Sequence, residues 1–208
     1  MVNYISLGYD CSTASALRNL NLRPFALPFD WVESQIQGIE KCLKDDFKYF
    51  HKDLVFNKPK NRLVDRYLFQ FPHDYPFNTS SENFEDTVNN NDSRFREIKN
   101  DTIVSNWNDY HDEVLEKYNR RIQRFKDIAN SDEPIIVLCR YNNVKSVTRL
   151  QNLFSEIYNK NNIYFVNSDK TSYENDQIIN INTEKNDIWN ESEVWMQGIE
   201  HMKKKFNL

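Results

Sequence analysis

The stretch from Glu133 to Ser168 limits the possible folds more than any other part of the chain. "EPIIVLCRY" is an apolar run short enough for a buried strand. "VKSVTRLQNLFSEIYNK" has the spacing of an amphipathic helix, and "NIYFVNS" is a second apolar run. Strand, helix and strand in that order form a βαβ unit, whose strands are parallel and whose crossover is right-handed. A sheet of that kind needs helices on its faces.

Two other segments fit the same sheet. Residues 2–7 (VNYISL) read as a short buried strand stopped by Gly8, and "QIININ" can add another. A helix is expected from near Cys11 through "STASALRNLNL", with a break before Pro24. "ESEVWMQGIEHMKKKF" reads as a closing helix with Val194, Ile199, Met202 and Phe206 inward and its basic residues near the C-terminus. The expected fold class is α/β: three layers, a mostly parallel sheet flanked by helices, with an irregular middle insertion.

That middle, residues 24–107, reads as a cap or insertion within one α/β domain spanning 1–208. "RPFALPFDW" is an ordered, packed loop, with two prolines among three aromatics. Ile36, Ile39, Leu43, Phe47 and Phe50 recur at helical spacing, and "RYLFQF" (66–71) is strand-like before "PHDYP". Residues 78–93 read as a mobile surface loop. From Asp109 to Ala129 the pattern is that of a helix, with Val114, Tyr118, Ile122, Phe125 and Ala129 on one face.

Composition narrows the function. A hydrophobic content of 39% with 14% aromatic residues excludes wholesale disorder, despite a mean hydropathy of −0.79. A net charge of −4 and a pI near 5.6 argue against nucleic acid held by bulk electrostatics. No apolar stretch approaches the roughly 20 residues that span a bilayer. The N-terminus lacks the basic and apolar regions of a signal peptide, and the 3 cysteines are widely spaced. The expectation is a soluble cytoplasmic protein with free thiols. There is no Walker loop, GxGxxG, GxSxG, HExxH or CxxC, so neither a cofactor nor a metal is expected.

With only 3 glycines in the chain, Gly8 is expected where backbone freedom is needed. Cys11 follows at a strand-to-helix turn. Unpaired N–H groups and the helix dipole there can stabilise a thiolate and lower its pKa, and can hold an oxyanion. Asp10 opposes that thiolate unless it caps the helix, and on spacing alone a small, buried, inert Cys11 is the favoured reading. Cys42 and Cys139 lie on apolar faces and read as core. His73 is fixed by Pro72 directly after a strand, with Asp74 beside it and Asp30 in "PFDW" as a competing orienting group, although the fragment alone favours His73 and Asp74 merely capping a turn. His51, His111 and His201 lie in charged helical contexts and read as exposed. Arg120, Arg121 and Arg124 share a helix with i,i+4 ion pairs and read as a solvated face. Arg140 ends a core strand at the ligand-binding edge of an α/β sheet, where it either binds an anion or closes an internal salt bridge.

"ISLGYDCSTASALRNLNLRPFALPFDW", then "FPHD", then "KYNRRIQRF" before "IIVLCRY" together resemble a family named putative papain-like cysteine peptidases. It is a domain of unknown function known from bacteria and large DNA viruses. The resemblance runs from Tyr4 to about Tyr141. It implies Cys11 as nucleophile and His73 as its partner, with Asp74 or Asp30 as third member. It also raises α+β papain-like as the alternative fold, since papain-like enzymes carry their histidine on an antiparallel sheet.

Two functions follow as expectations. One is a cysteine-dependent hydrolase of the peptidase or amidase kind, acting on a peptide or small-molecule substrate. The other is a non-catalytic protein that binds an anionic small molecule such as a sugar phosphate or nucleotide. In that second reading Gly8, Asp10 and Ser12 form a ligand loop, and Arg18 and Arg140 meet the anion.

Overall fold

The computed structural model describes residues 1–78, 101–140, 143–169, 173–182 and 192–208. Most of the stretch expected to be a mobile loop, from 79 to 93, lies outside them.

Strands β1 (Asn3–Ser6), β5 (Ile135–Cys139), β6 (Ile163–Asp169) and β7 (Ile178–Asn182) form one sheet in the order β1-β5-β6-β7. All three pairings are parallel, with Asn3 against Ile135, Ile135 against Ile163 and Phe165 against Ile178. Every residue of β5 and β6 is buried, because helices cover both faces as parallel sheets require. On one face Tyr4, Ile136, Leu138, Tyr164 and Val166 pack against α1 (Ser12–Asn19) and α5 (Ser192–Phe206) through Leu17, Trp195, Ile199 and Met202. On the other, Ile5, Leu7, Val137 and Phe165 pack against α2 (Ile36–Lys44), α3 (His111–Ala129) and α4 (Val144–Tyr158). The fold is thus a three-layer α/β arrangement.

The middle of the chain adds a separate antiparallel sheet of short strands, β2 (Val55–Phe56), β3 (Leu63–Val64) and β4 (Gln70–Phe71). Its Leu63 and Phe71 belong to the same apolar cluster as Ile5 and Leu7 of the main-sheet side. Phe29 is the centre of that junction, with its ring 5.6–5.8 Å from those of Phe47, Phe50, Phe69 and Phe125.

Two expectations are corrected in this region. The helix read from Ile36 to Phe50 stops at Lys44, because Asp46 and Phe47 adopt left-handed backbone angles (φ 51 and 61). Phe47 and Phe50 keep their core positions from the turns that follow. "RYLFQF" is strand only at Gln70–Phe71, since Leu68 (φ 63) turns the chain and is 70% exposed. The clearest predicted helix is present, preceded by a 3-10 turn at Trp107–Tyr110.

Candidate active site

Cys11 stands where β1 gives way to α1. Beyond Ser6, Leu7 donates to the Leu138 carbonyl, and Gly8 turns the chain at φ 47, a region that favours glycine. The Gly8 carbonyl accepts from the Arg140 N–H at 3.1 Å, which ties the turn to the end of β5. Cys11 is the N-cap residue of α1 but makes no side-chain cap bond. The cap is Asp10. Its Oδ1 accepts from the Ser12 N–H at 3.0 Å and from Ser12 Oγ at 2.6 Å. Its Oδ2 accepts from Arg140 Nη1 at 2.8 Å. Of the two fates open to Arg140, the geometry shows the internal salt bridge.

His73 arrives from the antiparallel sheet. β4 ends at Phe71, Pro72 is buried, and the ring of His73 places Nε2 3.8 Å from the Cys11 sulfur, across 62 residues of sequence. Segment 26–34 packs beside the cysteine. Cys11, Ala14, Ala26 and Trp31 form a small buried cluster, and the Arg18 guanidinium lies over the Trp31 ring at 5.2 Å.

The two candidate carboxylates have different surroundings. Asp30 is 1% exposed and accepts from Ser6 Oγ at 2.8 Å, Arg23 Nη2 at 2.5 Å and the Leu27 N–H at 2.7 Å. It fastens the "PFDW" loop to β1. Asp74 points into the core instead, where Lys117 Nζ donates to Oδ1 and Tyr118 OH donates to Oδ2 at 2.7 Å. Burial alone would raise the Asp74 pKa, yet Lys117, together with His51 and Arg121, draws it down to about 2. Asp74 thereby anchors the His73 loop to α3.

Residues 2–171 match the profile of a family described as "putative papain-like cysteine peptidase". The chain belongs to that family. No curated protein and no solved structure matches it. In this papain-like family member the histidine follows a strand of the antiparallel sheet, whereas the cysteine follows a strand of the parallel one.

The sequence left Cys11 between an activated thiolate and a buried, inert thiol. Burial pushes its pKa up, and the carboxylates of Asp10, Glu33 and Asp30 add to the rise while Arg62 opposes it. The N-terminal turn of α1 is already served by a carboxylate, so its dipole is not reserved for sulfur. Burial and these carboxylates both favour the thiol over the thiolate.

Glu33 and Arg62 were not singled out from the sequence. Glu33 Oε1 accepts from Arg62 Nε at 3.1 Å and Nη2 at 3.0 Å. Glu33 directly follows "PFDWV", but nothing local in "KNRLVDRY" marks Arg62, whose partner is 29 residues away. Cys42 and Cys139 are fully buried, in keeping with core roles. His51 and His111 were expected to be exposed, and both are corrected. His51 is 0% exposed and its Nε2 bonds Tyr75 OH at 2.6 Å, while half-buried His111 bonds the same hydroxyl at 3.1 Å. Arg121 is likewise buried over Tyr118, while exposed Arg124 and Arg120, paired with Glu116 at 3.6 Å, keep to the solvated face. Among the described residues no group of three or more His, Cys, Asp or Glu is placed to hold a metal, and no helix is long and apolar enough to cross a membrane.

Proposed function

We propose that the chain is a cysteine-dependent hydrolase of amide or ester bonds, with Cys11 as nucleophile and His73 as general base. The observation that carries this reading is the 3.8 Å separation of the sulfur and Nε2, supported by membership of a cysteine peptidase family. A base must come within hydrogen-bond reach of the proton it takes. As sulfur attacks the substrate carbonyl carbon, its proton passes to Nε2, and the carbonyl π electrons move to oxygen. Collapse of that tetrahedral species expels the leaving group, which takes the proton from His73 and leaves a thioester on Cys11. Water, deprotonated by the same imidazole, then releases the acid and restores the thiol. The donors this mechanism assigns to the developing oxyanion are N–H groups in the first turn of α1 other than that of Ser12, which donates to Asp10.

In this mechanism Asp74 serves as the anchor of the His73 loop and Asp30 as the anchor of the "PFDW" loop. The pair works as a dyad in which proton transfer accompanies attack, because the isolated thiol is held protonated. The anion-binding alternative is weaker, since Arg140, its main contact, is already paired with Asp10.

The test is hydrolysis of a panel of fluorogenic peptide amides and esters, run beside labelling by a peptidyl chloromethyl ketone. Both reactions are expected in the wild type, and loss of about a hundredfold or more in Cys11→Ala and His73→Ala. Hydrolysis that survives Cys11→Ala, or a Cys11 that resists the ketone in folded protein, overturns the reading.

A further inference from the structure

The stretch that carries His73 is closed at both ends by one buried side chain. Phe71 lies two positions before His73 and Tyr75 two positions after it. The ring of His51, 0% exposed, packs edge-on against Phe71 with centroids 4.3 Å apart. Its Nε2 lies 2.6 Å from the Tyr75 hydroxyl, and the two rings run nearly parallel at 5.7 Å. A single imidazole thus spans 71 to 75, with His73 midway between its contacts. His51 is itself fixed, since its N–H donates to Asp65 Oδ2 at 3.1 Å.

The polar end of this clasp has a definite direction. The Tyr75 hydroxyl also lies 3.1 Å from His111 Nδ1 on α3. A hydroxyl carries one hydrogen, so full pairing has it donate to one ring nitrogen and accept from the other. His51 Nδ1 is buried and meets no partner among the described residues. A buried N–H is left unpaired less readily than a buried acceptor, which puts the His51 proton on Nε2. The bonds then run from His51 Nε2–H to the Tyr75 oxygen, and from the Tyr75 O–H to His111 Nδ1. Asp74, between His73 and Tyr75, is held separately by Lys117 and Tyr118 of the same helix.

We infer that His51 and Tyr75 are positioning residues for the general base: the bond between them closes the stretch 71–75 and holds the His73 imidazole at the Cys11 sulfur. This inference rests on the proposed pairing of Cys11 with His73. Both residues act through the backbone that carries the base. A reacting group misplaced by about 1 Å can lose about a hundredfold in rate, so loosening one end of the stretch costs reactivity while the protein stays folded.

The experiment compares rates of Cys11 labelling by the peptidyl chloromethyl ketone in folded wild type, His73→Ala, Tyr75→Phe, His51→Leu, His51→Gln and the double variant of Tyr75→Phe with His51→Leu. His73→Ala is expected to lose about a hundredfold or more, and Tyr75→Phe and His51→Leu about tenfold each. Both delete the same bond, so the double variant should be no slower than His51→Leu alone. Glutamine places an amide donor where Nε2 stood, and His51→Gln should recover to within about threefold of wild type. Gly198→Ala, overpacked on the far face of the main sheet, serves as the control for lost stability and should keep the wild-type rate. Should His51→Leu not fold, Tyr75→Phe, which removes only the hydroxyl oxygen, decides alone. Full rate in Tyr75→Phe, or equal slowing in His51→Gln and His51→Leu, beside a slow His73→Ala overturns the inference only. A His73→Ala variant that labels as fast as wild type overturns the pairing of Cys11 with His73 itself.

Discussion

Nε2 of His73 stands 3.8 Å from the sulfur of Cys11, and the two reach each other from different sheets. Neither partner is drawn there by a local motif. The parallel sheet delivers the cysteine, the antiparallel one delivers the histidine, and Trp31 of "PFDW" packs against the cysteine.

The resting charge of that pair is the first prediction. Burial and three carboxylates hold the Cys11 thiol above the ordinary range, so thiolate is scarce at neutral pH. Alkylation of Cys11 by iodoacetamide should therefore rise with a midpoint above the free-cysteine value of about 8.5. Peptide mass spectrometry separates Cys11 from Cys42 and Cys139, which are buried and should label only on unfolding. A plateau of reactivity already present near pH 6 would instead reveal a preformed thiolate–imidazolium pair.

Asp10 and Arg140 give a prediction in which stability and reactivity part company. Asp10→Ala removes the helix cap and should cost about 1 kcal/mol in urea unfolding. It also removes a carboxylate beside the sulfur, so the alkylation midpoint should fall. Arg140→Ala keeps the cap and leaves Asp10 uncompensated, so its midpoint should rise. If both variants move the midpoint the same way, the salt bridge is not what tunes the thiol.

The parts legible in the sequence are those written in periodicity. Ile135–Cys139 and Ile163–Val166 are apolar runs on either side of an amphipathic helix, and a parallel sheet covered on both faces buries them. Gly8 and Cys11 were legible because a strand stop and a helix start coincide there. His73 was legible because Pro72 fixes it after a strand. What failed to show were effects of distant neighbours. His51 sits among charged residues in sequence, yet Phe71, Tyr75 and Tyr118 close around it in space. Phe47 and Phe50 continue the 3–4 spacing of α2 after the backbone has already turned. For Cys11 the sequence offered both the dipole of α1 and burial without their relative weight, which depends on neighbours brought in by the fold.

Acid stability provides the third prediction, with its sign set by two buried groups. Burial depresses the His51 pKa from the ordinary 6.5 to about 3, so the unfolded chain takes up a proton that the folded chain refuses. Stability should fall as pH drops from about 6.5 towards about 3. Asp74 adds a second loss: its pKa is held near 2 against an ordinary 3.8, and its contribution is lost between about pH 4 and about pH 2. Melting temperatures of wild type and His51→Gln, compared at pH 7 and pH 4.5, check the first part. The variant should show the smaller drop, and an equal drop in both would remove His51 from the account.

Gly38 offers a prediction that links packing to the site. A Cβ there would stand 2.4 Å from the Tyr67 carbonyl oxygen and 2.9 Å from Phe69 Cε1. The backbone it strikes cannot yield freely, because Asp65 Oδ1 holds the Tyr67 and Phe69 N–H groups at 2.9 and 3.1 Å. Gly38→Ala should therefore push the 65–69 turn and cost about 1–3 kcal/mol. Gly198→Ala meets Val166 and Ile181 at 2.6 and 2.9 Å, on the far face of the main sheet, and should cost a similar amount. Only the first displacement runs on through Gln70 to His73. Gly38→Ala should thus slow ketone labelling of Cys11 under folded conditions, whereas Gly198→Ala should lower the urea midpoint and leave that rate near wild type. Equal labelling rates in the two variants would mean that the histidine strand is positioned independently of the turn that precedes it.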